Sequence, residues 1–208
     1  VQAIRKAIGE GSLLRLDGNM SWSLPTARRI LQEIEPYNVR SYEDPVATLE
    51  AMAKLRLHSS ISFSTHTVDL PKAVRLGVPD YFVTNLAVLG GLSRAQRFIA
   101  ACERMGIGWW CFAGETGIGI RMGYSLICWI IGIAAYLHLI AATPSVTEPG
   151  QCILHWQTDD VIEEGPFNPK RNVVRVPEGP GLGVTLSAAR LKRCHERFLQ
   201  EGAYNYFL

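Results

Sequence analysis

Three strand-like runs, each closing on a residue able to bind a metal ion, limit how this chain can fold. They are Leu13-Leu14-Arg15-Leu16-Asp17-Gly18-Asn19, Val39-Arg40-Ser41-Tyr42-Glu43-Asp44-Pro45 and Ile61-Ser62-Phe63-Ser64-Thr65-His66. Asp17, Glu43 and His66 recur roughly every 25 residues, about the length of one strand-plus-helix unit in a βα repeat. Parallel strands of such a repeat all point the same way. Equivalent strand ends therefore converge on one mouth, however far apart they lie in sequence. Two carboxylates and an imidazole gathered there would suit a divalent metal.

The intervening segments read as amphipathic helices. Gln2 to Ile8 looks like a helix end, stopped by Gly9 and Gly11. Ser23 is a reasonable N-cap with Pro25 in the first turn, Ile30, Leu31 and Ile34 share one face, and Pro36 ends that helix. Further helices run through Leu49–Leu55 and through Leu70–Leu76, the latter closed by Gly77. Tyr81–Asn85 is a fourth strand, a helix follows from about Ser93 to Met105, and Ile107–Phe112 is a fifth strand. A helix through Ala134–Ala142 and a sixth strand near Cys152–His155 complete the alternation. This order predicts a parallel sheet whose strands are buried on both faces. Residues 172–208 differ: an irregular Val173–Gly183 stretch, then a basic amphipathic helix around Leu191–Leu199, expected to pack outside the barrel.

Composition excludes several classes of function. The 208 residues are 48% hydrophobic and 19% charged, enough to fill a core and too apolar for disorder. A net charge of +2 with no Lys/Arg block gives no attraction to nucleic acid. Five cysteines without a CxxC spacing argue against a disulfide framework or structural zinc and favour a reducing cytoplasm. The first residues carry no signal-peptide run.

Leu16-Asp17-Gly18-Asn19, Tyr42-Glu43-Asp44-Pro45, the Gly90-Gly91 turn and Pro177-Glu178-Gly179-Pro180-Gly181-Leu182-Gly183-Val184 occur in an order that resembles the enolase superfamily, in its mandelate racemase / muconate lactonizing enzyme branch. Within it, Ser64-Thr65-His66 and Trp156-Gln157-Thr158-Asp159-Asp160 look most like acid-sugar dehydratases of glucarate or galactarate type. The resemblance implies an α/β fold, a (β/α) barrel with a separate N-terminal capping domain. It implies Mg²⁺ held by Asp17, Glu43 and His66, with Asn19 beside metal or substrate. The third ligand is more usually Glu, Asp or Asn, so His66 is a departure, and an imidazole makes the site less negative. The implied reaction removes a proton next to the carboxylate of an acid sugar, passes through an enediolate and expels water. A racemase or cycloisomerase on the same scaffold, or a non-catalytic fragment, is the alternative.

The family places a base after the second barrel strand, and the chain is expected to begin beyond it. An Asp–His dyad after the sixth and seventh strands is replaced by Asn85 and approximately Phe112, neither able to act as a base. Tyr42 and His155 are substitutes by residue type only. Asn85 either hydrogen-bonds substrate or satisfies the barrel rim, and Glu115 could face the site from the next loop. The plainer readings stay open. Asp17 and Glu43 could be helix caps or solvated charges, and His66 a hydrogen-bonded structural histidine.

The expectation is therefore a partial barrel of about six βα units over residues 1–171, lacking the first strands and the cap, with residues 120–132 an insertion. Two open strand edges invite self-association into a homo-oligomer, and weak or no turnover is expected of the chain alone. The nearly uncharged run Met122–Ala142 approaches a membrane span in length. Gly123, Gly132 and His138 weaken that reading, so an apolar loop followed by a buried helix is expected, with no membrane partner.

Overall fold

The computed structural model describes residues 1–113, 125–146, 148–152, 161–164, 167, 169–171 and 173–202. They fall into two compact units, one of residues 1–84 and 99–110, the other of residues 85–98 and 111–208.

In the first unit, α1 (Gln2–Ile8), β1 (Arg15–Asp17), α2 (Leu24–Ile34), β2 (Ser41–Glu43), α3 (Leu49–Arg56), β3 (Ser62–Thr65), α4 (Leu70–Leu76) and β4 (Tyr81–Thr84) alternate as the periodicity implies. Each turn has a local cause. Ser23, Thr48 and Asp69 accept from backbone N–H groups three residues on and start α2, α3 and α4. Gly77, left-handed at φ 67°, ends α4. Pro36 falls in a 3₁₀ turn over Glu35–Tyr37 that finishes α2.

The strands pair in parallel: Arg15–Ser41, Leu16–Tyr42 and Asp17–Glu43 between β1 and β2, then Ser41–Ser62, Tyr42–Phe63 and Glu43–Ser64 between β2 and β3. Residues in register leave a sheet on the same side, and successive residues alternate. Leu16, Tyr42 and Phe63 thus share one face. They pack with Leu31 and Ile34 of α2 and Leu49, Met52 and Leu55 of α3. Full burial of a side chain of this size contributes about 1.5–3 kcal/mol. The opposite face carries Arg15, Ser41 and Ser62 in one row and Asp17, Glu43 and Ser64 in the next. Ser41, Glu43 and Ser64 are buried, so β2 and β3 are covered on both sides as expected. The second face, however, is polar.

One buried arginine ties α1 to the rest of the unit. Arg5 donates from Nε to the Tyr37 carbonyl at 2.9 Å and from Nη1 to those of Gly9 and Ser12 at 2.6 and 2.9 Å. Its Nη2 donates to the carbonyl of Asn38 at 2.9 Å.

The short helix α5 (Leu86–Leu89) and the first part of α6 (Leu92–Arg104) open the second unit; α6 then runs into the first. Strand β5 (Gly108–Ala113) starts in the first unit, where Gly108 N–H donates to the Asp80 carbonyl at 2.8 Å. Its later residues belong to the second and pair with β6 (Gln151–Cys152), Phe112 opposite Gln151. Helix α7 (Ser125–Ala141) begins earlier than the hydrophobic pattern suggests. Of the stretch read as an insertion, residues 120–124 lie outside the described residues, and from Ser125 onward it forms the front of that helix. Among the described residues no helix is long and apolar enough to cross a membrane.

The tail joins the second unit. Leu191 and Cys194 of α8 (Ala188–Glu201) pack against Val161 and Ile162, and Ser187 N–H donates to the Val161 carbonyl at 2.8 Å. Gly183 closes the Pro180–Gly183 turn; a Cβ there would sit 2.8 Å from the Pro177 carbonyl carbon, so no side chain fits.

Candidate metal centre

Asp17 and Glu43 end adjacent parallel strands in the same register position. Glycine makes that approach close. Gly18 N–H donates to the Glu43 carbonyl at 2.9 Å, and Met20 N–H to the Asp44 carbonyl at 2.9 Å. A Cβ at Gly18 would come within 2.9 Å of the Asp44 carbonyl oxygen and 3.2 Å of Pro45 Cα. The Asp17-Gly18-Asn19 sequence therefore needs its middle residue bare. Asn19 is left-handed at φ 46°, and its N–H donates to Asp17 Oδ1 at 2.8 Å. Asn19 acts on the carboxylate through its backbone N–H and, more weakly, its side chain.

Asp44, which sequence reasoning left out of the ligand set, lies at the centre of the group. It is fully buried and left-handed at φ 40°. Its Oδ1 accepts from Thr65 Oγ1 at 2.5 Å, and its Oδ2 meets His66 Nδ1 at 2.5 Å. His66 Nδ1 is also 3.9 Å from Glu43 Oε1. Ligand atoms of Glu43, Asp44 and His66 all lie within 4.8 Å of one another, the one group of three among the described residues suited to a metal ion. Asp17 stands outside that limit but inside its field.

The ionisation of these groups reflects their crowding. Burial of the Asp17 carboxyl raises its pKa, and repulsion from Asp44 adds to this against the Asn19 N–H. Burial likewise raises that of Glu43, with Asp17 and Asp44 adding and the His66 hydrogen bond opposing. His66 is driven up to about 10, first by its hydrogen bond to Asp44 and then by Glu43. Three carboxylates thus share a partly desolvated corner with one imidazole, and the imidazolium supplies the balancing charge. A divalent cation would serve the same end better. Oxygen donors suit Mg²⁺ or Mn²⁺, and one nitrogen is compatible with either. The donor set fits such an ion.

The other candidates are placed as follows. Asn85 is buried and caps α5, its Oδ1 accepting from Val88 N–H at 2.9 Å. Tyr42 lies on the apolar face with its pKa raised by burial and by the Asp17 charge. Phe112 is partly buried on β5. Glu115, His155 and the Trp156–Asp160 segment lie outside the described residues.

Residues 1–190 match the family described as enolase C-terminal domain-like. The chain belongs to this family. Enolase-superfamily membership in the mandelate racemase / muconate lactonizing branch agrees with the motifs, and the α/β alternation of parallel strands agrees with part of a (β/α) barrel. The chain is 29% identical over 206 residues to the probable glucarate dehydratase of Streptomyces coelicolor, covering 94% of itself and 44% of that relative. It is 26% identical over 201 residues to a chloromuconate cycloisomerase of Pseudomonas putida, covering 92% of itself and 50% of the relative. An enolase from Pseudomonas fluorescens, solved with bound magnesium, potassium and tartrate, superposes with a TM-score of 0.85 at 26% identity, over 97% of this chain and 45% of that one. One from Thermobispora bispora, complexed with magnesium and formate, gives 0.84 at 28%, over 97% of this chain and 46% of that one. The chain spans about half the length of these enolase-superfamily relatives.

Proposed function

We propose that this chain is the metal-binding portion of an Mg²⁺-dependent acid-sugar dehydratase, a hydro-lyase acting on a substrate of glucarate or galactarate type. The observation that carries the reading is the shared register of Asp17 and Glu43, with Asp44 and His66 closing the group. The magnesium held by the solved relatives and the likeness to a glucarate dehydratase support it.

In this reading Asp17, Glu43 and His66 hold the ion. When bound, Mg²⁺ supplies positive charge that stabilises a substrate carboxylate as the neighbouring carbon loses its proton. The chain's own residues do the positioning. Glu43 sits against the sheet at the end of β2, held laterally by β1 and β3. Asn19 fixes one oxygen of Asp17 through its N–H. Asn85, with Oδ1 committed to the helix cap, has only its amide N–H groups to offer a substrate hydroxyl or carboxylate. Glu115 is the further candidate for substrate or proton contact.

A racemase or cycloisomerase is the second reading, favoured by the comparable identity to chloromuconate cycloisomerases and to a D-Ala-D/L-Ala epimerase of Cytophaga hutchinsonii. Calorimetric titration of the purified chain with MgCl₂ tests what the readings share. Saturable binding lost in Asp17→Ala and Glu43→Ala is expected, and undiminished binding in both variants would sink the site. Incubation with glucarate, galactarate, muconate and dipeptides then separates the reactions by product.

A further inference from the structure

The group that could hold a metal contains one pair too close to do so as it stands. Two neighbouring donors on an octahedral Mg²⁺, each bonded at about 2.1 Å, are roughly 3.0 Å apart. Asp44 Oδ2 and His66 Nδ1 are 2.5 Å apart, a charge-assisted hydrogen bond rather than two positions on one ion. The other Asp44 oxygen is occupied by Thr65 Oγ1 at 2.5 Å, and the His66 backbone N–H also points to Oδ2 at 3.4 Å.

The backbone holds Asp44 in this role. Its left-handed φ of 40° turns its side chain toward His66, where a straight continuation of β2 would send it to the face opposite Glu43. A non-glycine residue in that region is strained and persists where its surroundings enforce it. Here they do. Asp44 N–H donates to the Ser64 carbonyl at 2.9 Å, and its own carbonyl accepts from Met20 N–H at 2.9 Å. The carboxylate is fully buried, while the His66 side chain is 42% exposed.

We propose that Asp44 is a positioning residue, not a ligand: it takes the Nδ1–H of His66 and so fixes Nε2 as the nitrogen offered to the cation. This rests on the metal-site reading above. Carboxylates that hold a ligating imidazole by its second nitrogen set its tautomer and orientation, and losing one typically weakens metal binding 10–100-fold.

Long-range ¹H–¹⁵N spectra of the labelled 208-residue chain, with His66 assigned by its absence in His66→Gln, read this directly. With Mg²⁺ bound, the proton is expected on Nδ1, and the Nε2 resonance is the one that moves as Mg²⁺ is added. Asp44→Asn is expected to weaken Mg²⁺ binding about 10–100-fold and to populate the Nε2–H tautomer. Thr65→Val, which keeps every charge, is expected to shift the tautomer ratio in the same direction by less. Mg²⁺ acting on Nδ1, or an unchanged tautomer in Asp44→Asn, overturns the assignment while the metal site stands. A chain that takes up no Mg²⁺ at all overturns both.

Discussion

Asp17 and Glu43 lie side by side, 26 residues apart in the chain and in register on adjacent parallel strands. Without a cation the arrangement costs stability, because each carboxyl is partly desolvated and each feels the other's neighbours. Asp17→Asn is therefore expected to stabilise the metal-free chain slightly, by about 0.5 kcal/mol, or roughly 1–2 °C in melting temperature. The same variant should lose more than about tenfold in Mg²⁺ affinity. Thermal melts with and without MgCl₂ check both. A variant whose Mg²⁺-induced rise equals that of the parent would remove Asp17 from the site.

Above neutrality the pH response of the metal-free chain should slope one way. Folded His66 keeps its proton to about 10, against an ordinary 6.5. Its contribution to stability is thus complete below 6.5 and is lost as pH rises toward 10. Asp17 and Glu43, raised above their ordinary 3.8 and 4.5, act in the same sense at the acid end: what they add is present at low pH and lost as pH climbs through their raised values. Urea denaturation at pH 6.5, 8 and 10 should show falling stability, and His66→Gln should flatten the upper part. Parallel curves for the two proteins would contradict the Asp44–His66 pairing. Saturating Mg²⁺ competes with these protons, so its stabilising effect should grow with pH.

Gly18→Ala should damage the site without touching a ligand. The new methyl meets the Asp44 carbonyl oxygen at 2.9 Å, and backbone must yield. A cost of about 1–3 kcal/mol is expected, with weaker Mg²⁺ binding as the strand ends separate. Gly11→Ala, which meets nothing within 4 Å, is the control and should be nearly neutral. Equal melting temperatures for the two variants would refute the close-approach argument.

Arg5→Ala should unfold the chain's first unit more readily and in a way Mg²⁺ does not select. Four backbone carbonyls lose their donor at once. A loss of about 3 kcal/mol is expected, and Arg5→Lys should recover only part, since one ammonium cannot match the guanidinium fork. Denaturant midpoints measure this. A midpoint within error of the parent would mean that the four bonds are replaced by water without cost.

Much of this is legible in the sequence. The βα alternation through Thr84 follows from strand and helix periods, and from punctuation by Ser23, Pro36 and Gly77. The shared register of Asp17 and Glu43 is legible because residues at equivalent strand ends recur at one spacing. Asp44 was missed for a definite reason. Alternation along a strand places the residue after Glu43 on the far side, and only the left-handed φ brings it back. That conformation leaves little mark in sequence when the residue is aspartate rather than glycine. The cap role of Asn85 is likewise hidden: its side-chain oxygen starts a four-residue helix too short for periodicity to reveal, which leaves its amide N–H groups for a substrate. The early start of α7 was hidden because a uniformly apolar run carries no amphipathic period.

The sheet's unequal faces separate two kinds of inheritance. Leu16, Tyr42 and Phe63 hold the first unit together from one side, and the acidic corner sits on the other. Substitutions in that corner can therefore remove carboxylates one at a time while the apolar packing on the other face is left in place.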